Sequence, residues 1–60
     1  MDDADLVAIV AADYLRRQGR SAIDHLRDRE ALADSNGDLL SAEAWGDIAD
    51  TATEILLYSN

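Results

Sequence analysis

The most regular pattern of apolar and polar positions runs from Ser41 to Leu57. At about 100° per residue, Trp45, Ile48, Ala49, Ala52, Ile55 and Leu56 fall on one stripe. Asp47, Asp50, Thr51 and Glu54 fall on the other side. The pattern predicts a one-sided helix over 41–58. Ser41 is the expected N-cap. Glu43 sits in the first turn, where the helix dipole favours negative charge. Leu40 and Trp45 then have the spacing of a hydrophobic staple. Ala49 and Ala52 are small enough to let a second helix approach beside Trp45. Trp45, the only tryptophan, is expected to be a buried core anchor. Its type also makes it a candidate hot spot for a partner.

Two weaker patterns precede it. Leu6, Val7, Ile9, Val10, Tyr14 and Leu15 give a broad apolar side to a helix over 3–18, with Ala8, Ala12 and Arg16 opposite. Asp2 or Asp3 is the expected cap, with Asp5 in the first turn. Gly19, after Arg16, Arg17 and Gln18, stops that helix. Asp13 and Arg17 have the spacing of an ion pair. Ser21 is expected to cap a second helix over 21–34, with Asp24 as a partner in a capping-box-like arrangement. There Ala22, Ile23, Leu26 and Ala33 face roughly one way and Leu32 lies off that line. Asp34-Ser35-Asn36-Gly37-Asp38 is the strongest turn signal. The chain reads as an all-α, three-helix mini-domain, a single domain over 1–60.

Size sharpens this picture. Sixty residues bury only about 60% of their unfolded surface. Besides Met1 there are 17 large apolar residues and 11 alanines, and alanine fills little volume. The lack of cysteine excludes a disulfide staple and a thiolate zinc site. The chain must be an economical helical unit or an oligomer.

The net charge is −8, from 13 acids and five arginines. Direct nucleic-acid binding through a broad basic face is therefore excluded as a reading. The arginines all lie between Arg16 and Arg29, and from Ala31 onward there are six acids and no base. This asymmetry reads as solubility with internal pairing, or as a docking face for a basic partner. No apolar run reaches the ~20 residues that span a bilayer. The opening MDDAD is acidic where a signal peptide is basic. An anionic membrane surface would repel the acidic face of the last helix. A cytoplasmic protein without membrane contact is expected.

Three chemistries deserve weighing. Asp34-Ser35-Asn36-Gly37-Asp38 resembles the start of an EF-hand loop, and Leu39 to Glu43 its later half. The loop lacks the glycine at its sixth position, and Ala44 stands where the closing glutamate belongs. Only a degenerate calcium-binding turn could result, and calcium at physiological concentration is expected to do nothing. Catalysis has little to work with. There is no nucleophile motif, no phosphate loop and no HExxH. Asp47, Asp50 and Glu54 share a face without the Glu-x-x-His motifs of a di-metal bundle, and His25 reads as solvated or hydrogen-bonded. No catalytic, metal or cofactor residue is assigned. The third reading is an acidic inhibitor that mimics nucleic acid on a basic protein.

The apolar residues are spread too widely for one small core. Leu6, Ile9, Val10 and Tyr14 on the first helix are candidate interaction residues, with Trp45, Leu57 and Tyr58 on the last. A non-enzymatic protein that acts by protein–protein interaction follows. The expected partner is a second copy, most simply in a two-fold dimer, or a different protein to which this chain is an accessory.

One further pattern concerns order along the chain. Tyr14-Leu15-Arg16-Arg17-Gln18-Gly19 is followed by Ala22 and His25, then Arg29, Ala31 and Leu32. Gly37-Asp38 and Trp45-Gly46-Asp47-Ile48-Ala49 come next. This succession resembles a group of very short alphaproteobacterial proteins of the sphingomonad type, a domain of unknown function. The resemblance covers roughly 14–56. Ser35-Asn36 before the Gly-Asp turn and the strongly acidic ends depart from it. It implies a bacterial helical protein and no particular activity.

Overall fold

Two glycines divide the chain. Gly19 and Gly37 hold positive φ angles, 62° and 77°, a region that residues with a Cβ rarely enter. The computed structural model describes residues 3–59, with the side chains of 5–58. It contains α1 (Asp3–Gln18), α2 (Ser21–Ser35) and α3 (Leu39–Ser59), and no strand among the described residues. The all-α, three-helix architecture is as the periodicity predicts.

The helix ends are where expectation and structure part. At the end of α1 the Gly19 amide donates to the Leu15 carbonyl at 2.8 Å, the single bond of an αL cap. Ser21 does not cap α2. The N-cap position is Arg20, with no side-chain cap bond, and the Ser21 hydroxyl reaches back to the Gln18 carbonyl at 2.6 Å. The hydroxyl thus answers a carbonyl of the preceding helix instead of the amides of its own. Asp24 consequently has no capping-box partner. The expected cap of α1 by Asp2 or Asp3 falls on side chains outside those described, and α1 begins at Asp3 itself.

Between α2 and α3 the amides of Gly37 and Asp38 donate to the carbonyls of Asp34 and Ala33 at 3.0 and 2.9 Å. These are the two bonds of a Schellman motif. The motif fixes Asp38 immediately after the turn. Its carboxylate accepts the Ser41 amide at 3.2 Å and caps α3 three residues earlier than Ser41 could. An ionised carboxylate at the positive end of the helix dipole outcompetes a hydroxyl there. Leu40 therefore lies inside the first turn and is 83% exposed. The staple with Trp45 does not form.

α3 touches both other helices, α2 most closely, and α1 and α2 meet least. The fully buried cluster is Ala11, Leu26, Ala49 and Ala52, with Tyr14, Leu15, Ile23, Trp45, Ile48 and Ile55 packed around it. Leu26 is the one large side chain among them that is fully buried. Trp45 is half-buried rather than buried. It stands edge-on to Tyr14, with ring centroids 6.3 Å apart and planes at 83°, the T-shaped geometry that aromatic quadrupoles favour. The alanines seal the centre and the larger side chains ring it. Thr51, assigned to the wet face by periodicity, is also half-buried.

The α2–α3 seam is tight. A methyl group on Gly46 would lie 2.6 Å from Glu30 Oε2. Arg27 bridges the helices, donating to Asp50 at 2.8 Å and to Glu30 at 3.2 Å. The whole is a slab, 35 × 27 × 16 Å, with a radius of gyration of 11.2 Å. A close-packed 60-residue domain scales to about 10.4 Å.

Candidate interaction surfaces

α1 carries two apolar faces. Ala11, Tyr14 and Leu15 pack on the core. Leu6, Ile9 and Val10, with Asp13 continuing the line, recur at i, i+3, i+4 and i+7 and so form a second stripe. Leu6 is 54% exposed and Ile9 53%, whereas Val10 is half-buried at the stripe's edge. Ile9, Val10, Ala12, Asp13 and Arg16 line an open groove along this side of the helix. Asp13 closes its far end by pairing with Arg16 at 2.8 Å and with Arg17 at 3.2 Å. The second of these is the ion pair that spacing predicted. Both arginines stay largely exposed and can turn to another carboxylate.

The other candidates divide. Tyr14 and Trp45 are brought together as half-buried packing partners beside the core. Leu57 and Tyr58 are 68% and 89% exposed in the last turns of α3. A third apolar group was missed. Leu32, Leu39 and Leu40 stand exposed on either side of the α2–α3 turn. The signal that finds them is Gly37 as the residue after the α2 C-cap. That placement makes Asp38 the cap of α3 and puts Leu39 and Leu40 in its first turn, ahead of the region packed on α2.

Among the described residues every titratable group is partly or fully open to solvent and no polar side chain is buried. Among the described residues, Arg27 and Asp38 have shifted pKa values. Hydrogen bonds to Asp50 and then Glu30 push the Arg27 guanidinium further up. The Ser41 hydroxyl and amide hold the Asp38 carboxyl below its ordinary value. Both shifts favour the charged form already present at neutral pH. The segment that resembles an EF-hand loop is helix, tight turn and helix, with three residues, 36–38, between α2 and α3. Among the described residues no three His, Cys, Asp or Glu side chains are grouped to hold a metal ion. No helix of the described residues is long and apolar enough to cross a membrane.

No protein-family model, curated protein or solved structure matches the chain. The likeness to the short sphingomonad-type proteins rests on the residues quoted for it alone.

Proposed function

We propose that this is a non-enzymatic, small acidic helical protein of the bacterial cytoplasm that works by binding protein, and first of all a second copy of itself. The observation that carries this reading is the mismatch between core and surface. Among the described residues, five alanines and one leucine, Ala11, Ala22, Leu26, Ala33, Ala49 and Ala52, are the buried apolar residues. Seven large apolar side chains, Leu6, Ile9, Leu32, Leu39, Leu40, Leu57 and Tyr58, are more than half exposed. The accessible surface is 4354 Å², against about 3,800 Å² from mass scaling for a compact monomer of this size. Contiguous exposed apolar surface marks interaction sites. Covering it in an oligomer adds the burial that a small domain lacks.

Sedimentation equilibrium tests this. The expected result is a dimer at tens of micromolar, with a melting temperature that rises with concentration. Leu6→Asp is expected to return it to monomer with its helix content kept, because Leu6 contributes little to the core. A wild-type monomer with a concentration-independent melt would overturn self-association.

The exposed acids of α3, Glu43, Asp47, Asp50 and Glu54, support a second reading as an acidic mimic of nucleic acid. That reading requires a basic partner whose binding falls steeply with salt.

A further inference from the structure

Resting on the reading that the chain self-associates, we infer that the second copy docks on the outer stripe of α1, antiparallel, around a two-fold axis that passes near Ile9 and Val10. Three exposed apolar regions compete for this role, and charge separates them. The turn between α2 and α3 presents Leu32, Leu39 and Leu40 beside Asp34, Asp38 and Glu43, and the last turns of α3 present Leu57 and Tyr58 beyond Glu54. From Ala31 onward the chain has no basic residue, and of the arginines on α2 beside that turn Arg27 is already paired with Asp50 and Glu30, which leaves Arg29, one turn before Leu32, against three acids. Two copies meeting at either place set like charge against like.

α1 differs. Asp2, Asp3 and Asp5 precede its apolar stretch, and Arg16 and Arg17 follow it. A helix charged oppositely at its two ends complements itself only when the copies run in opposite directions. In a two-fold pair each flank of the helix faces the same flank of its partner, reversed. Asp5 and Arg16, eleven residues apart, lie on one flank at ~100° per residue, so each Asp5 meets the Arg16 of the other copy. Both side chains are exposed. Ile9 and Val10 then meet their counterparts at the centre. Leu6 lies against Asp13 and the aliphatic stem of Arg17 in the partner. The groove lined by Ile9, Val10, Ala12, Asp13 and Arg16 is the concavity that this stripe of a second copy fills. A parallel pair puts Asp5 of one copy level with Asp5 of the other and on the opposite flank, so the Asp5–Arg16 complement cannot form.

The chain has no cysteine, so a single introduced one reports the geometry without ambiguity. In the antiparallel pair Ile9→Cys stands beside its copy, within the ~7 Å that a disulfide spans. The Arg16 positions are then about 20 Å apart along the axis at ~1.5 Å per residue. Under mild oxidation Ile9→Cys is expected to form a covalent dimer and Arg16→Cys to stay monomeric on a reducing-agent-free gel. Charge gives an independent measurement. Asp5→Arg alone and Arg16→Glu alone are each expected to dimerise on the order of 10-fold more weakly, since two exposed pairs turn from attraction to repulsion. An equimolar mixture of the two variants restores dimerisation, because both cross-pairs become complementary again. Equal cross-linking of Arg16→Cys and Ile9→Cys would overturn the antiparallel arrangement. A wild-type dimer whose Ile9→Cys variant never cross-links, and which ignores both charge changes, would place the interface elsewhere and leave the proposed self-association standing. A wild-type monomer would remove both.

Discussion

The α2–α3 pair and α1 are built to different degrees of completeness. α2 and α3 are joined by three residues with both Schellman bonds made, by a carboxylate cap, by the Glu30 side chain laid on Gly46, and by the Arg27–Asp50 bridge. α1 joins through Ala11, Leu15 and the edge-on contact of Tyr14 with Trp45. Its opposite side holds Leu6 and Ile9 over half exposed. The pair is fastened along its seam within the chain and leaves large apolar side chains bare only beside its turn and at its far end, at Leu32, Leu39, Leu40, Leu57 and Tyr58. The third helix is docked on one side and apolar on the other. A slab 16 Å thick is too thin to cover both sides of α1, so the exposed stripe follows from the number of helices and their short length.

The largest expected effect removes the element that the two regions share. Leu26 lies on α2, is fully buried, and sits in one cluster with Ala11 of α1 and Ala49 and Ala52 of α3. Leu26→Ala is expected to cost ~2–5 kcal/mol. A domain of this length has roughly 3–9 kcal/mol in total. The variant should therefore lose cooperative thermal unfolding, followed by circular dichroism. Leu32→Ala, six residues along the same helix but 58% exposed, should stay within about 0.5 kcal/mol of wild type when monomeric. Equal losses at the two sites would mean that the core is not centred on Leu26.

The helices and the face of α3 were legible because their signals are periodic. Trp45, Ile48, Ala49, Ala52, Ile55 and Leu56 are the residues that pack inward or half inward. Ala22, Leu26 and Ala33 did the same for α2. The reading went astray where one residue type serves two ends. Ser21 and Ser41 both look like caps. Ser21 answers a carbonyl behind it, and Ser41 donates to Asp38 instead of capping. Ala11 was hidden among larger apolar neighbours, although a close helix crossing selects the smallest side chain for its centre. Of the candidate interaction residues, Leu6, Ile9, Leu57 and Tyr58 lie outward. Tyr14 and Trp45 turned to each other, because two half-apolar rings satisfy one another at the rim of a core too small to swallow them. The Arg27–Asp50 bridge joins residues 23 apart in sequence, and no local pattern announces such a pair.

A smaller effect probes the seam of the complete pair. Arg27 and Asp50 are 45% and 67% exposed at the side chain, so water screens them and the pair is worth ~0.2–1 kcal/mol. Arg27→Gln, Asp50→Asn and the double change, compared by denaturant unfolding, should give a coupling energy in that range. In 1 M salt, where charges are screened beyond ~3 Å, the coupling should shrink. A coupling that salt leaves untouched would indicate that the stem of Arg27 acts through packing, not through its charge.

The smallest expected effect is also the most specific, because pH reads it. Hydrogen bonds from the Ser41 hydroxyl and amide lower the Asp38 pKa in the folded chain. The unfolded chain then takes up the proton first as pH falls. The contribution of this group to stability is complete above its unfolded pKa of about 3.9. It is lost as pH drops through the lower, folded value. Asp38→Asn keeps an oxygen that can accept the Ser41 amide but cannot titrate. The difference in melting temperature between wild type and Asp38→Asn should be flat above about pH 5 and shrink below pH 4. Asp38→Ala, which removes the cap altogether, should melt lower than Asp38→Asn across the whole range. If the wild type and Asp38→Asn instead keep a constant separation down to pH 2, the carboxylate is not what starts α3. Ser41, two residues inside the helix, would again be the candidate for its cap.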